Sequence, residues 1–506
     1  MSAVTDPEPT TEPGLRAGAI GFVDALVIGL ASTSPAYSLA AILGATVAIV
    51  GTAAPGVLLA SFVPMFLIAS AFYFLNRTDP DCGTTFSWVT RAMGPWTGWI
   101  GGWAICTTGV LVIGSLADVA ARFGLLTVGL DGAAESKWTV IAIAVGIIVV
   151  MTVVCVLGTE LSAHLQNVLI LAQVVSLLAL AVVALWKVAA GDAPRGSVDP
   201  SLSWLNPFDA GGAALTSGLL LGVFAYWGWE SSVNLAEETT DSDTTPGRAA
   251  VLSTVLLLLT YLSVAFAVVA FAGPGFLADN ADEEEKVFAV IAGDVMDGWD
   301  WVVLLAVATS ALASTQTTIL PASRTSLSMA RRGAFPSALR RIHPRWQTPD
   351  VSTWAVGALA IVWYVGANLI SENALFDSLT ALALMIAFYY ALTGVACAVF
   401  YRRLLLRDVR TFLLVGVGPL IGAALLTWLL IESVIDQADP ANSYTGAAWF
   451  GLGPPLVIGI GFMLLGVVLM VLWRLRGPAT FWEERPRAAG RDALGKIVPA
   501  SERGGA

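Results

Sequence analysis

Histidine is nearly missing from this chain of 506 residues, which holds only His164 and His343. Cysteine is almost as sparse, at Cys82, Cys106, Cys155 and Cys397, and the nearest two are 24 residues apart. With no CxxC, no HExxH and no His/Cys cluster, no zinc or other metal centre is expected. The cysteines read as small apolar residues packed in or beside a membrane, with Cys82 placed in an exposed loop. No GxSxG and no GxxxxGK[ST] occurs, which removes an embedded hydrolase and an ATP-driven pump. No catalytic residue is assigned and no cofactor is implied. Charge is scarce as well: 12 % of residues are Asp, Glu, Lys or Arg, about half of the ~25 % usual in soluble domains. Acidic residues outnumber basic ones by 37 to 26, and the basic ones fall in short clusters, so no cationic face for nucleic acid is present.

What the chain has instead is apolar length. Hydrophobic residues make up 57 % of it and its mean hydropathy is +0.77, which excludes a water-soluble globule. Runs free of Asp, Glu, Lys and Arg occupy 25–76, 92–117, 138–159, 161–186, 210–229, 249–278, 301–323, 351–371, 378–401, 411–431 and 440–473. A bilayer core of about 30 Å needs about 20 helical residues. The first run, 52 residues long, is divided by Gly51, Pro55 and Gly56 into two helices. Twelve transmembrane helices are predicted, hence an all-α polytopic membrane protein. Of the 26 Lys and Arg residues, 21 fall on one side if the N-terminus is inside, and the opposite 275–300 loop is acidic, with Asp279, Asp282, Glu283, Glu284 and Glu285. Both termini are therefore expected in the cytoplasm, in the plasma membrane. Residues 1–18 are expected to form a disordered cytoplasmic tail, with no signal peptide. Residues 475–506 are expected to form a second tail, in which nothing buries a core.

Two spans carry signs of interruption. The first reads Gly29-Leu30-Ala31-Ser32-Thr33-Ser34-Pro35-Ala36-Tyr37, in which Pro35 removes a backbone donor while three hydroxyls stand ready to satisfy freed groups. The sixth reads Phe224-Ala225-Tyr226-Trp227-Gly228-Trp229-Glu230. Broken helices five spans apart are what a 5+5 inverted repeat places at a substrate site, where half-helix ends offer N–H groups to an anion and carbonyls to a cation. An α-amino acid zwitterion has both charges.

These residues resemble the amino acid-polyamine-organocation permease superfamily, over nearly the whole chain to about residue 475. Gly228-Trp229-Glu230 followed by Ala236-Glu237-Glu238-Thr239 and Pro246-Gly247-Arg248-Ala249 is similar to its signature across the sixth span. Ser323-Arg324, Ser328-Met329-Ala330-Arg331-Arg332-Gly333-Ala334-Phe335-Pro336 and Thr348-Pro349 resemble the segment after the eighth. Asp24 with Ser34-Pro35-Ala36-Tyr37 resembles the actinobacterial-type branch. The resemblance implies a leucine-transporter-like core, with a first repeat at 19–187, a second at 208–401 and two appended helices at 411–474. It also implies alternating access around a central site. Ala31, Ser32, Thr33 and Ser34 would hold the substrate carboxylate. The carbonyls of Phe224, Ala225 and Trp227 beside Gly228 would take its amine, with Trp227 or Tyr226 as a gate. The chain departs from the family in having Ala31-Ser32-Thr33 where a Gly-Ser-Gly-like run is common. It also has Gln173 where proton-coupled relatives often carry lysine. A neutral amide exchanges no proton near neutral pH, so lysine-based coupling does not carry over.

Ionisable groups inside a bilayer are functional candidates by default. Glu230, beside the expected cavity, is a candidate for proton coupling or amine pairing, or a buried glutamate bonded to unwound backbone. Asp24 is expected to form an inner gate with Arg324 or Arg331, and Asp118 and Arg122, one turn apart, to satisfy each other at the outer rim. The eighth span is rich in hydroxyls, Ser310, Ser314, Thr315, Thr317 and Thr318. Ser314 and Thr315 resemble positions that hold Na+ in sodium-coupled members. The expectation is a secondary active transporter, a symporter importing an amino acid with proton coupling ahead of Na+ or uncoupled exchange. A polyamine or cationic amino acid permease or exchanger is the alternative. A permease-like nutrient sensor would be expected to carry a signalling domain that tails of this length do not supply. The partners are then a small amino acid or amine, a proton or Na+, and the lipid bilayer.

Overall fold

The computed structural model describes residues 14–280, 284–370, 374–443 and 445–489. Residues 1–13 and 490–506 of the expected tails, and Asp282 and Glu283 of the acidic loop, lie outside the described residues. The first span is α1 (Phe22–Thr33) and α2 (Pro35–Val50), followed by α3 (Ala54–Thr78), a short α4 (Thr85–Met93) and the long α5 (Pro95–Thr127). One-turn α6 (Asp131–Ala134) leads to α7 (Lys137–Leu157) and α8 (Thr159–Ala190). The sixth span is α9 (Gly212–Ala225) and one-turn α10 (Ser231–Asn234), and α11 (Thr245–Asp279) is the seventh. A further helix, α12 (Glu284–Met296), precedes α13 (Asp300–Arg331), α14 (Asp350–Ile370) and α15 (Ala374–Phe400). Then α16 (Val409–Thr411) passes through a π-helical turn into α17 (Gly418–Ala438), and α18 (Pro454–Arg476) and α19 (Ala479–Trp482) close the described chain.

Among the described residues, ten helical segments are long and apolar enough to cross a membrane. The first of them, Phe22–Thr78, is 57 residues long and turns back through the 3-10 turn Gly51–Ala53, so it makes two crossings. Helix α9, at 14 residues, reaches only about 21 Å and completes a crossing through α10. Twelve crossings result. Among the described residues there is no β-strand, only the isolated bridges Ile20–Thr239 and Trp449–Leu452.

Packing in lipid rewards small residues, because close backbone approach supplies the dispersion contacts that water exclusion cannot. Helix α5, nearly wholly buried, shows the rule along its contact with α13. A Cβ at Gly102 would stand 2.8 Å from Met329 Sδ, and one at Gly109 2.9 Å from Ala322 Cβ. Helix α8 shows the lipid boundary: Val168, Leu171, Val175, Leu178 and Val182 are exposed, while Ile170, Gln173, Leu177 and Ala181 are buried. That is one helical stripe against the next.

Three expectations need correction. The apolar run 440–473 is longer than its helix, because residues 440–443 and 445–453 form a 3-10 turn, loop and bridge before Pro454 starts α18. Cys82 is not exposed but fully buried, like the other three cysteines. The segment after α18 does bury apolar surface. Phe481 stacks on Phe86 at 5.8 Å between centroids and Trp482 lies 4.7 Å from Trp96. Arg487 N donates to Arg91 O at 2.7 Å, Ala489 N to Phe400 O at 2.9 Å, and Arg332 pairs with Glu484 at 3.3 Å. This strap ties α4, α5, α13 and α15 together at the arginine-rich end of the bundle. The few aromatics among many charges hid it in the sequence. Replacing Phe481 with Ala should cost about 3 kcal/mol of stability, read as a lowered Tm of the detergent-purified protein.

Candidate functional site

The first break is a single residue. Proline disfavours α-helical geometry in the residue before it, and Ser34 adopts φ 54°, ψ 62°, a left-handed conformation. Its N–H donates to Ala31 O at 3.1 Å. Hydroxyls take up the remaining groups: Thr33 Oγ donates to Gly29 O at 2.9 Å, Ser38 Oγ to Thr33 O at 2.8 Å and Ser314 Oγ to Ser32 O at 2.9 Å. Ser34 Oγ and Ser310 Oγ lie 2.9 Å apart.

The second break is wider, running from Tyr226 to Glu230 between α9 and α10. Gly228 has φ +122°, and a Cβ there would stand 2.6 Å from Ser32 O. Only glycine fits both the torsion and the approach. Ser32 Oγ meets Ser231 Oγ at 2.7 Å. The two breaks are in direct contact, Ser32 against Gly228 and Ser231.

Glu230 lies at this contact with 4 % of its surface exposed. Its Oε1 accepts from Tyr389 Oη at 2.5 Å and its Oε2 accepts from Tyr390 Oη. Trp227 Nε1 donates to Tyr389 Oη at 2.5 Å. Among the described residues Glu230 has no ion-pair partner, and its carboxyl is held by the two phenols together with backbone hydrogen bonds at Gly228 and Glu230 itself. Sequence reading missed Tyr389 and Tyr390. The one available signal was two adjacent tyrosines inside a span free of charged residues. A narrow cleft runs past Ser32, Trp227, Gly228, Glu230, Ser231 and Tyr389, with room for about one water molecule.

The remaining predicted residues divide. Ala31 is fully buried near the first break and Phe224 is partly buried on α9. Ala225 O is already taken, accepting from Tyr261 Oη at 2.7 Å. Tyr226 is fully buried with its hydroxyl unpartnered, packed 5.1 Å from Tyr261. Gln173 is fully buried and, among the described residues, neither of its amide atoms has a partner. Ser314 reaches the first break, whereas Thr315 Oγ turns back to Ala311 O of its own helix at 2.8 Å. Asp118 and Arg122 do pair, at 2.6 Å, and Tyr364 Oη also donates to Asp118 at 2.6 Å.

Asp24 does not meet Arg324 or Arg331. It sits in the first turn of α1, accepting from Gly21 N at 3.1 Å and from Asn167 Nδ2 at 2.7 Å. The arginines find partners past α10 instead. Arg324 pairs with Glu238 at 2.9 Å, both side chains fully buried, and Arg331 with Glu237 at 2.8 Å. Nearby, Asp81 pairs with Arg91 at 2.9 Å and Arg332 at 3.4 Å. Asp81, Cys82 and Glu237 bring three possible ligand atoms within 4.8 Å of one another, yet both carboxylates are held by guanidiniums. Burial, reinforced by Glu237 and Asp81, pushes the Cys82 thiol well up, so it stays protonated at neutral pH. The cluster is built as a charged closure.

Two broken helices meeting over a lone carboxyl, above a ring of ion pairs, are the layout of a carrier. The model of the family described as "Amino acid permease" matches residues 20–473. The chain belongs to the amino acid permease family. It is a transporter, not an enzyme. This permease is 29 % identical over 465 residues to "Uncharacterized transporter Rv1999c" of Mycobacterium tuberculosis, covering 90 % of the chain and 92 % of the relative. It is 21 % identical over 309 residues to "Low-affinity putrescine importer PlaP" of Escherichia coli, covering 60 % of the chain and 65 % of the relative. Over 331 residues it is 23 % identical to "Branched-chain amino acid permease BcaP" of Bacillus subtilis, covering 61 % and 67 %.

Two outcomes follow from the permease's geometry. Gly228→Val forces a side chain into the Ser32 carbonyl and should reduce uptake to background while surface expression persists. Glu238→Gln leaves the Arg324 charge buried without its counter-ion, at a cost of about 3–5 kcal/mol, which should appear as a lowered Tm in detergent.

Proposed function

We propose that this permease imports an amino acid across the cell membrane by alternating access, with Glu230 carrying the coupling proton. The observation that carries the reading is the Glu230 carboxyl, buried where the two breaks meet and hydrogen-bonded by phenols. A titratable group with neutral partners changes charge with each proton it takes, and water reaches it only when the breaks part. The zwitterion would lie at this contact, its carboxylate and amine offered the Ser32 and Ser231 hydroxyls and the ends of the half-helices. Residues 19–187 and 208–401 would be the two repeats that rock against each other, with 411–474 appended.

The distribution of arginine supports an orientation with both termini in the cytoplasm. The Glu238–Arg324 and Glu237–Arg331 pairs then close the inner end and must separate for release. PlaP, named as a putrescine importer, makes a polyamine the alternative cargo. Glu230 is the one carboxylate lining the cleft among the described residues, and two tyrosines already satisfy it, which favours a net-neutral zwitterion.

Purified protein in liposomes, given labelled amino acids with and without imposed proton and Na+ gradients, tests the reading. Inward proton gradients should drive accumulation. Glu230→Gln should abolish that accumulation while leaving exchange of internal for external substrate measurable. Accumulation by Glu230→Gln equal to the unsubstituted protein would sink the coupling role.

A further inference from the structure

The far wall of the same cleft has a chemistry of its own. It is formed by Ile105 and Gly109 of α5 and by Thr318, Pro321 and Ala322 of α13. Thr318 is 2 % exposed, and its hydroxyl has no hydrogen-bond partner. Its neighbours on α13 are all engaged. Ser310 and Ser314 bond to the first break, Thr315 and Thr317 to carbonyls of their own helix, and Ser323 and Ser326 likewise. Thr325 accepts from Asn234 Nδ2 and Ser328 bonds to Asp81. Among the described residues, Thr318 is the one buried hydroxyl of α13 left without a partner, and Thr318 lines the cleft. A buried hydroxyl without a partner costs free energy that an incoming polar group recovers.

The wall is also fixed in width. At Gly109 the approach of α5 to α13 leaves no room for even a methyl group, since a Cβ there would stand 2.9 Å from Ala322 Cβ. Trp99 Nε1 donates to Ala334 O at 3.0 Å, and Cys106 Sγ lies 3.3 Å from Ser326 Oγ, pinning the two helices further along. A bulky substrate side chain would have to part this pair. No charged side chain lies on this wall to receive a cationic one.

We infer that Ile105, Gly109, Thr318, Pro321 and Ala322 form the pocket for the substrate's side chain, and that it selects small neutral amino acids, the Thr318 hydroxyl bonding a hydroxyl as in serine or threonine. This rests on the permease reading above and narrows its substrate. Selection by one matched hydroxyl differs from selection by size, because it leaves a polar group orphaned when the wrong substrate binds.

Uptake into liposomes of labelled serine, threonine, alanine, leucine, phenylalanine, arginine and putrescine tests it. Serine and threonine should exceed leucine and arginine by at least about tenfold in kcat/KM. Thr318→Val should raise the ratio of serine KM to alanine KM about tenfold, and Thr318→Ser should restore it. Ala322→Gly should admit larger side chains, seen as improved leucine uptake. Preference for leucine, arginine or putrescine in the unsubstituted protein overturns the pocket assignment and leaves import of an amino acid, or for putrescine of an amine, standing. An unchanged serine-to-alanine ratio in Thr318→Val overturns the role of its hydroxyl. Absence of uptake of every amino acid in the panel overturns the pocket assignment together with the proposed import of a small neutral amino acid.

Discussion

A main chain that leaves its helical ladder inside a bilayer must find other partners for each freed N–H and C=O. Here much of the partnering comes from the second interrupted helix and from α13. Ser32 gives its hydroxyl to Ser231 and its carbonyl to Ser314, and Gly228 presses its backbone onto that same carbonyl. Two local weaknesses thus become one joint. The joint explains why α13 carries so many hydroxyls: Ser310 and Ser314 serve the break in α1 and α2 rather than their own helix. It also explains why Gly228 tolerates no side chain.

Charge is handled differently at the centre and at the rim. At the centre Glu230 has two phenols and the unwound backbone at Gly228 as neutral partners, so gaining or losing a proton changes the net charge of the joint. Toward the arginine-rich end, Glu237, Glu238 and Asp81 each face a guanidinium. Ion pairs at a mouth separate at modest cost once water replaces the partner, whereas a fully dry pair such as Arg324–Glu238 resists separation. The fully buried Arg324–Glu238 pair is therefore the harder of these contacts to separate.

The twelve spans, both interruptions and the family were legible in the sequence, because lipid imposes a length and a polarity that composition records directly. Ser34-Pro35 and Gly228 stood out for the same reason, as residues a plain span has no use for. Partnerships were less legible. Depth alone pairs Asp24 with Arg324 or Arg331, yet those arginines are claimed by Glu238 and Glu237, which arrive through the bend after α10. Tyr389 and Tyr390 were passed over because a tyrosine in an apolar run has no mark distinguishing packing from a bond to a distant carboxylate. Helix α12 lies in a segment whose charge marks it as a loop, and the start of the run at 440 is not helical because lack of charge does not specify backbone geometry.

The strap from Ala479 to Ala489 has a consequence for biogenesis. These residues leave the ribosome only after all twelve crossings have been synthesised, so the arginine-rich mouth is unlatched throughout insertion. Phe481 and Trp482 then seat against α4 and α5 as a closing step. A nascent polypeptide stalled just beyond α18 would present quality-control proteases with a bundle whose crossings are in place but whose latch is missing.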